Sequence, residues 1–193
     1  MTEQLNTADK AMFFQLTLLG FAFYAILYFF VAFSQGGIRK KIFNKEFMSQ
    51  FNEEHQAAFG SDAPVGGLPD DGNGYYASKL SYGDWFTFNN WQRAHLNFLE
   101  TIMPVAVMTF ITSINQPLWA CISIYTLVLG RLMYAVGYCK GGPKGRVAGA
   151  IVTDLALLAV AVGGFYSVFT WDTEQARLLP ISPEKFSTLV AGA

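Results

Sequence analysis

Four stretches of this chain are long and apolar enough to leave water. They cover about 11–33, 91–113, 117–139 and 147–169, and each exceeds the roughly 20 residues that a helix needs to cross a bilayer, the second on condition that protein partners accommodate its polar start. Backbone polar groups find no water inside a membrane, so each stretch is predicted to be an α-helix. The expected fold is an all-α membrane protein, a four-transmembrane-helix bundle in a single domain over 1–193. The turn Asn115-Gln116-Pro117 is very short. It makes the second and third spans an antiparallel hairpin, with Pro117 comfortable in a first helical turn. A long loop over 34–90, a short loop over 140–146 and a tail over 170–193 complete the chain. The first stretch exceeds a signal-peptide core and lacks a basic leader, so it reads as a retained anchor.

The second and third spans break their own pattern. Arg93, Asn97 and Glu100 are spaced i, i+4, i+7 and form one stripe. Arg131, Tyr134 and Tyr138 are spaced i, i+3, i+7 and form another. His95 lies about 200° around the helix from Arg93 and faces elsewhere, toward another helix or subunit. Counted from the loops, Glu100 and Arg131 both sit about 12–14 Å below the same membrane face, and Asp154 lies at a similar depth. A charge at a helix centre costs about 2.5–3.5 kcal/mol even on the lenient insertion scale. Two readings stand. The charges neutralise one another and fix helix packing, or they grip an anionic polar ligand at one face of the bilayer. Arg93 and Arg146, with the tyrosines, exceed what one ion pair needs and favour the ligand.

Composition narrows the classes. Only 14% of the residues are charged, against about 25% in soluble domains. A net charge of −1 gives no pointer to nucleic acid. The two histidines, His55 and His95, offer no metal-ligand cluster. Cys121 and Cys139 fall about 27 Å apart on one helix and cannot bridge. Arg39, Lys40, Lys41, Lys45, Lys79, Lys140, Lys144 and Arg146 all lie in the first and third loops, whereas the termini hold Lys10, Arg177 and Lys185. The positive-inside rule places both loops in the cytosol and both termini opposite. Tyr75, Tyr76, Tyr82, Trp85, Phe86 and Phe88 crowd the end of the first loop. Such aromatic density fits the membrane–water interface, whether to close over the helix ends or to meet a ligand.

The run Gln92-Arg93-Ala94-His95-Leu96-Asn97-Phe98-Leu99-Glu100 and the run Gly130-Arg131-Leu132-Met133-Tyr134-Ala135-Val136-Gly137-Tyr138 together resemble the MAPEG superfamily, the membrane-associated eicosanoid and glutathione proteins. Gly141-Gly142-Pro143-Lys144-Gly145-Arg146, with Arg39-Lys40-Lys41 after the first span, is most similar to the type-3 microsomal glutathione transferases. The resemblance implies a homotrimer that binds glutathione between protomers, in a pocket open to the cytosol. It implies Arg93, Asn97, Glu100, Arg131, Tyr134 and Tyr138 as glutathione-binding, with His95 and Arg39 as further candidates. Arg146 resembles the arginine that activates the thiol, although the third loop is one residue longer than in the leukotriene-forming synthases. The first loop is some two dozen residues longer than in short-loop members, and Asp154 falls outside the shared pattern.

The activity that the resemblance implies is that of a glutathione transferase, with or without peroxidase activity. Glutathione is its co-substrate, no metal takes part, and the second substrate is a lipophilic electrophile or lipid hydroperoxide drawn from the membrane lipids. The endoplasmic reticulum is the expected membrane and the mitochondrion the alternative. Two rivals stand beside the enzyme: a non-catalytic subunit of a larger membrane complex, and a lipid-binding helper without turnover.

Overall fold

A computed structural model describes residues 5–170. The expected tail and its two basic residues, Arg177 and Lys185, therefore lie outside the described residues. The chain is all-α among the described residues. Its elements are α1 (Thr7–Ile42), α2 (Lys45–Ser49), α3 (Asn52–Phe59), a 3-10 turn (Ala77–Lys79), α4 (Tyr82–Asn115), α5 (Pro117–Gly145) and α6 (Val147–Phe169). α1, α4, α5 and α6 are each long and apolar enough to cross a membrane. The protein is thus a four-span membrane protein of the four-helix-bundle class.

Three helices outrun their apolar stretches, for local reasons. α1 continues to Ile42, carrying Arg39, Lys40 and Lys41 in its last turn, where cations meet the negative end of the helix dipole. α4 starts at Tyr82, nine residues before its apolar stretch. The Ser81 hydroxyl accepts the Asp84 N–H at 3.1 Å and donates to the Asp84 carboxylate at 2.8 Å. Ser81 thus caps the helix N-terminus, with Asp84 in the first turn bonded to the cap's hydroxyl. The aromatic segment expected in the first loop, from Tyr82 to Phe88, is therefore the first two turns of α4. Residues 140–145, expected as loop, stay helical as the end of α5, broken at Gly142 by φ 62°, ψ −153°. Only glycine takes that conformation without strain.

Contacts divide the chain into two compact units. Among the described residues, the first holds those up to Tyr24, Thr101–Leu129 and those from Ile151. Its helices touch through small and hydroxylated residues, the usual currency of packing in a membrane. Gly20 lies under Ile124, where a Cβ would come within 2.5 Å of Cγ2. The Tyr125 hydroxyl donates to the Leu16 carbonyl at 3.2 Å, the Thr112 hydroxyl to the Val160 carbonyl at 2.9 Å, and the Asn115 amide to the Ser167 carbonyl at 2.7 Å.

The second unit holds Ala25–Glu100 and Gly130–Ala150. Its first loop, reduced to 43–81, folds around a core of Phe43, Met48, Phe51, Ala63, Ala77 and Phe88. Asp70 organises this loop. Its carboxylate accepts the N–H groups of Gly72, Gly74 and Ala77 at 2.8, 2.9 and 2.7 Å. Arg39 holds the same loop from α1, donating to the Asp70 and Gly66 carbonyls at 2.6 and 3.2 Å. Its guanidinium lies 4.9 Å from the Phe88 ring centroid, a cation–π distance.

Candidate functional site

α4 and α5 meet within the second unit at a polar layer. Arg131 is 2% exposed. Its guanidinium donates to Asn97 Oδ1 at 2.8 Å, and Asn97 Nδ2 donates in turn to Glu100 Oε2 at 3.4 Å. The amide therefore links the buried cation to the carboxylate. The Arg131 guanidinium also lies 5.5 Å from the Phe98 centroid and 5.6 Å from that of Tyr134. Aromatic faces favour such a cation where water is scarce.

A second arginine reaches the same tyrosine. Arg146 stands between α5 and α6, and its carbonyl accepts the Ala150 N–H at 2.9 Å as α6 begins. Its Nη1 donates to the Tyr134 hydroxyl at 3.2 Å. Its guanidinium sits 5.7 and 5.6 Å from the ring centroids of Tyr134 and Tyr138. The two rings are themselves 5.7 Å apart. The arrangement gathers two cations around a buried tyrosine pair, which suits an anionic ligand with several acceptor groups.

Glycines set this geometry, and the polar stripes alone do not point to them. A Cβ on Gly137 or Gly145 would come within 2.2 Å of the other's carbonyl oxygen. One on Gly149 would come within 2.2 Å of the Tyr134 nitrogen. The end of α5, the turn and the first turn of α6 thus lie backbone against backbone. This closeness is what brings Arg146 onto Tyr134. The signal is present in the chain as glycines at 137, 145 and 149, since small residues at fixed intervals mark close helix contact in membranes. Gly142, at the break, packs against Phe86, which would be 3.2 Å from its Cβ.

The other candidate residues are more scattered. Arg93 and Glu100 are exposed on α4. His95, expected to face another helix or a subunit, stacks on Tyr28 of α1 with ring centroids 5.6 Å apart. Arg39 is engaged with the first loop and is not brought into the polar layer. Asp154 is exposed on α6. Gln35 of α1 donates to Gln92 of α4, a buried pair beside Arg93 that helical periodicity does not reveal. Among the described residues no three His, Cys, Asp or Glu side chains converge as metal ligands. Cys121 and Cys139 are free thiols.

The residues with this geometry lie inside a stretch that matches a known family. A model of the MAPEG family aligns with residues 17–166. That span covers most of the chain and takes in at least part of each of the four long helices, so the protein belongs to the MAPEG family.

Proposed function

We propose that this protein is a glutathione-dependent membrane enzyme, joining glutathione to lipophilic electrophiles or reducing lipid hydroperoxides. The observation that carries the reading is the placement of Arg146 on Tyr134 and Tyr138, next to the Arg131–Asn97–Glu100 relay. Glutathione has two carboxylates and one ammonium. Arginine forks match carboxylates bidentately, and a carboxylate such as Glu100 takes an ammonium. Arg93, Asn97, Glu100, Arg131, Tyr134 and Tyr138 are assigned to binding.

Arg146 is assigned to the thiol. A free thiol has a pKa of about 8.5 and is mostly protonated at neutral pH. A fixed cation beside the sulfur stabilises the thiolate without acting as a base. In conjugation the thiolate sulfur forms a bond to the electrophilic carbon, and the leaving group departs with its electron pair. In peroxide reduction the thiolate attacks one peroxide oxygen, releasing the alcohol and a sulfenic acid. A second glutathione then converts the sulfenic acid to the disulfide and water. Exposed Arg93 and Glu100 on α4 support completion of the site by further copies of the chain. The family resemblance supports a trimer as the assembly and the endoplasmic reticulum or the mitochondrion as its membrane.

The test is glutathione-dependent turnover by the purified protein with a lipophilic electrophile and with a fatty-acid hydroperoxide. Binding of glutathione without turnover of either substrate sinks the catalytic reading. It would favour a non-catalytic subunit, to which the separate core of the first loop lends its support as a docking module.

A further inference from the structure

The first unit carries a groove of about 900 Å³, within the size range of small-molecule sites. It contains none of the residues assigned to glutathione. Its walls are apolar side chains of α5 and α6, among them Leu118, Ile122, Leu155 and Ala159, with Trp119 on one side. One end is polar, lined by Lys10, Asn115 and Gln116. That end lies at the α4–α5 turn and at the start of the first apolar stretch, where both sequence boundaries put the membrane surface. The α5 wall continues to Thr126, about 13 Å along the helix from Pro117.

Lys10 and Gln116 are half-buried at that polar end, so a cation and a side-chain amide are open to the trough. They match an amphiphile with an anionic, hydroxyl-bearing head and a hydrocarbon tail. We infer that this groove is a binding site for an anionic membrane phospholipid, its headgroup at Lys10 and Gln116 and one acyl chain along α5 and α6.

Trp119 reports occupancy directly. The full chain is reconstituted in phosphatidylcholine vesicles containing a minor share of bromine-labelled lipid, either phosphatidylglycerol or phosphatidylcholine. The Trp119 signal is the difference between the unaltered protein and Trp119→Phe. Labelled phosphatidylglycerol is expected to occupy the groove about fivefold more than labelled phosphatidylcholine, the preference that one lysine at a membrane surface confers. Lys10→Glu, at a helix start, is expected to abolish that preference. Ala159→Phe, which fills the trough, is expected to reduce quenching by both lipids. Equal quenching by the two lipids, unchanged by Lys10→Glu, would mean that bulk lipid merely wets the surface, and overturns the proposal. Quenching by neither lipid also overturns it, because the groove is then closed by protein, such as a second copy of the chain.

Discussion

Gly149 lies so close to Tyr134 that a Cβ on the glycine would come within 2.2 Å of the tyrosine nitrogen. Tyr134 is the ring shared by Arg131 and Arg146. The contact between two backbones therefore fixes the distance between two cations. Gly149→Ala is expected to push α6 away from α5 and to cost about 1–3 kcal/mol, as overpacking of a tight contact does. It should also separate Arg146 from Tyr134. The expected outcome is a lower Tm in detergent together with a larger loss in kcat than in glutathione affinity. Gly141, where a Cβ would meet nothing within 4 Å, is the control. Gly141→Ala should leave both quantities unchanged.

Arg131 and Glu100 separate binding from packing. Arg131 is buried and bonded, so Arg131→Leu removes a charge-assisted hydrogen bond worth about 1.5–3 kcal/mol and should lower both stability and glutathione affinity. Glu100 is exposed, and its one bond within the described residues is the long one from Asn97. Glu100→Gln should leave stability nearly unchanged and still weaken glutathione binding. Calorimetric titration beside a thermal melt reads both. Normal glutathione affinity in folded Glu100→Gln would make the polar layer a packing device.

The first loop depends on one carboxylate. Asp70 accepts three backbone N–H groups, and its carbonyl accepts Arg39. Asp70→Ala leaves those donors unmatched and is expected to loosen residues 66–80, at about 1–3 kcal/mol for each donor left buried and unpaired. Amide hydrogen exchange should rise there first. Glutathione-dependent turnover should fall little, because Arg39 and Asp70 hold the loop and not the polar layer. Unchanged exchange over 66–80 would show that the apolar core around Phe43 and Phe88 suffices to fix the loop.

How much of the fold is legible in the sequence depends on the range of each signal. The hairpin at Asn115-Gln116-Pro117 and the extent of the fourth span are legible, because hydrophobic runs and turn chemistry are local. The two polar stripes are legible because helical periodicity places Arg131 and Asn97 on defined faces. The early start of α4 is harder to see, although Ser81 and Asp84 are residues that suit a helix N-terminus. The aromatic residues that follow them point to a membrane interface and mask the helix start. Glycine-rich 140–146 reads as loop because glycine disfavours helix interiors. Only the contact of Gly137 with Gly145 and of Gly149 with Tyr134 shows that those glycines serve close approach. Arg39 is a candidate for a ligand carboxylate by sequence, and nothing local reveals that the carbonyls of Gly66 and Asp70, some thirty residues on, claim it.

Arg146 is where binding and chemistry part. Its guanidinium touches Tyr134 and Tyr138 from the turn before α6, and its assigned role is to stabilise a thiolate. Arg146→Ala should leave glutathione affinity within a few fold, because Arg93, Arg131 and Glu100 remain. Turnover at neutral pH should drop by about tenfold or more, the effect of removing about 1.4 kcal/mol or more of transition-state stabilisation. The ultraviolet thiolate absorbance of the complex should weaken in parallel. Raising the pH toward the free-thiol pKa of about 8.5 should restore part of the rate, since deprotonation then proceeds without the cation. On the proposed reading the unaltered protein stabilises the thiolate at neutral pH, so it should gain less over the same range. Arg146→Lys should rescue only in part, because a point charge replaces a planar fork. Full turnover of Arg146→Ala at neutral pH would move thiolate stabilisation to another cation. Lys144 and Arg93 are the next to substitute, and a pH profile that steepens on replacing either would identify it.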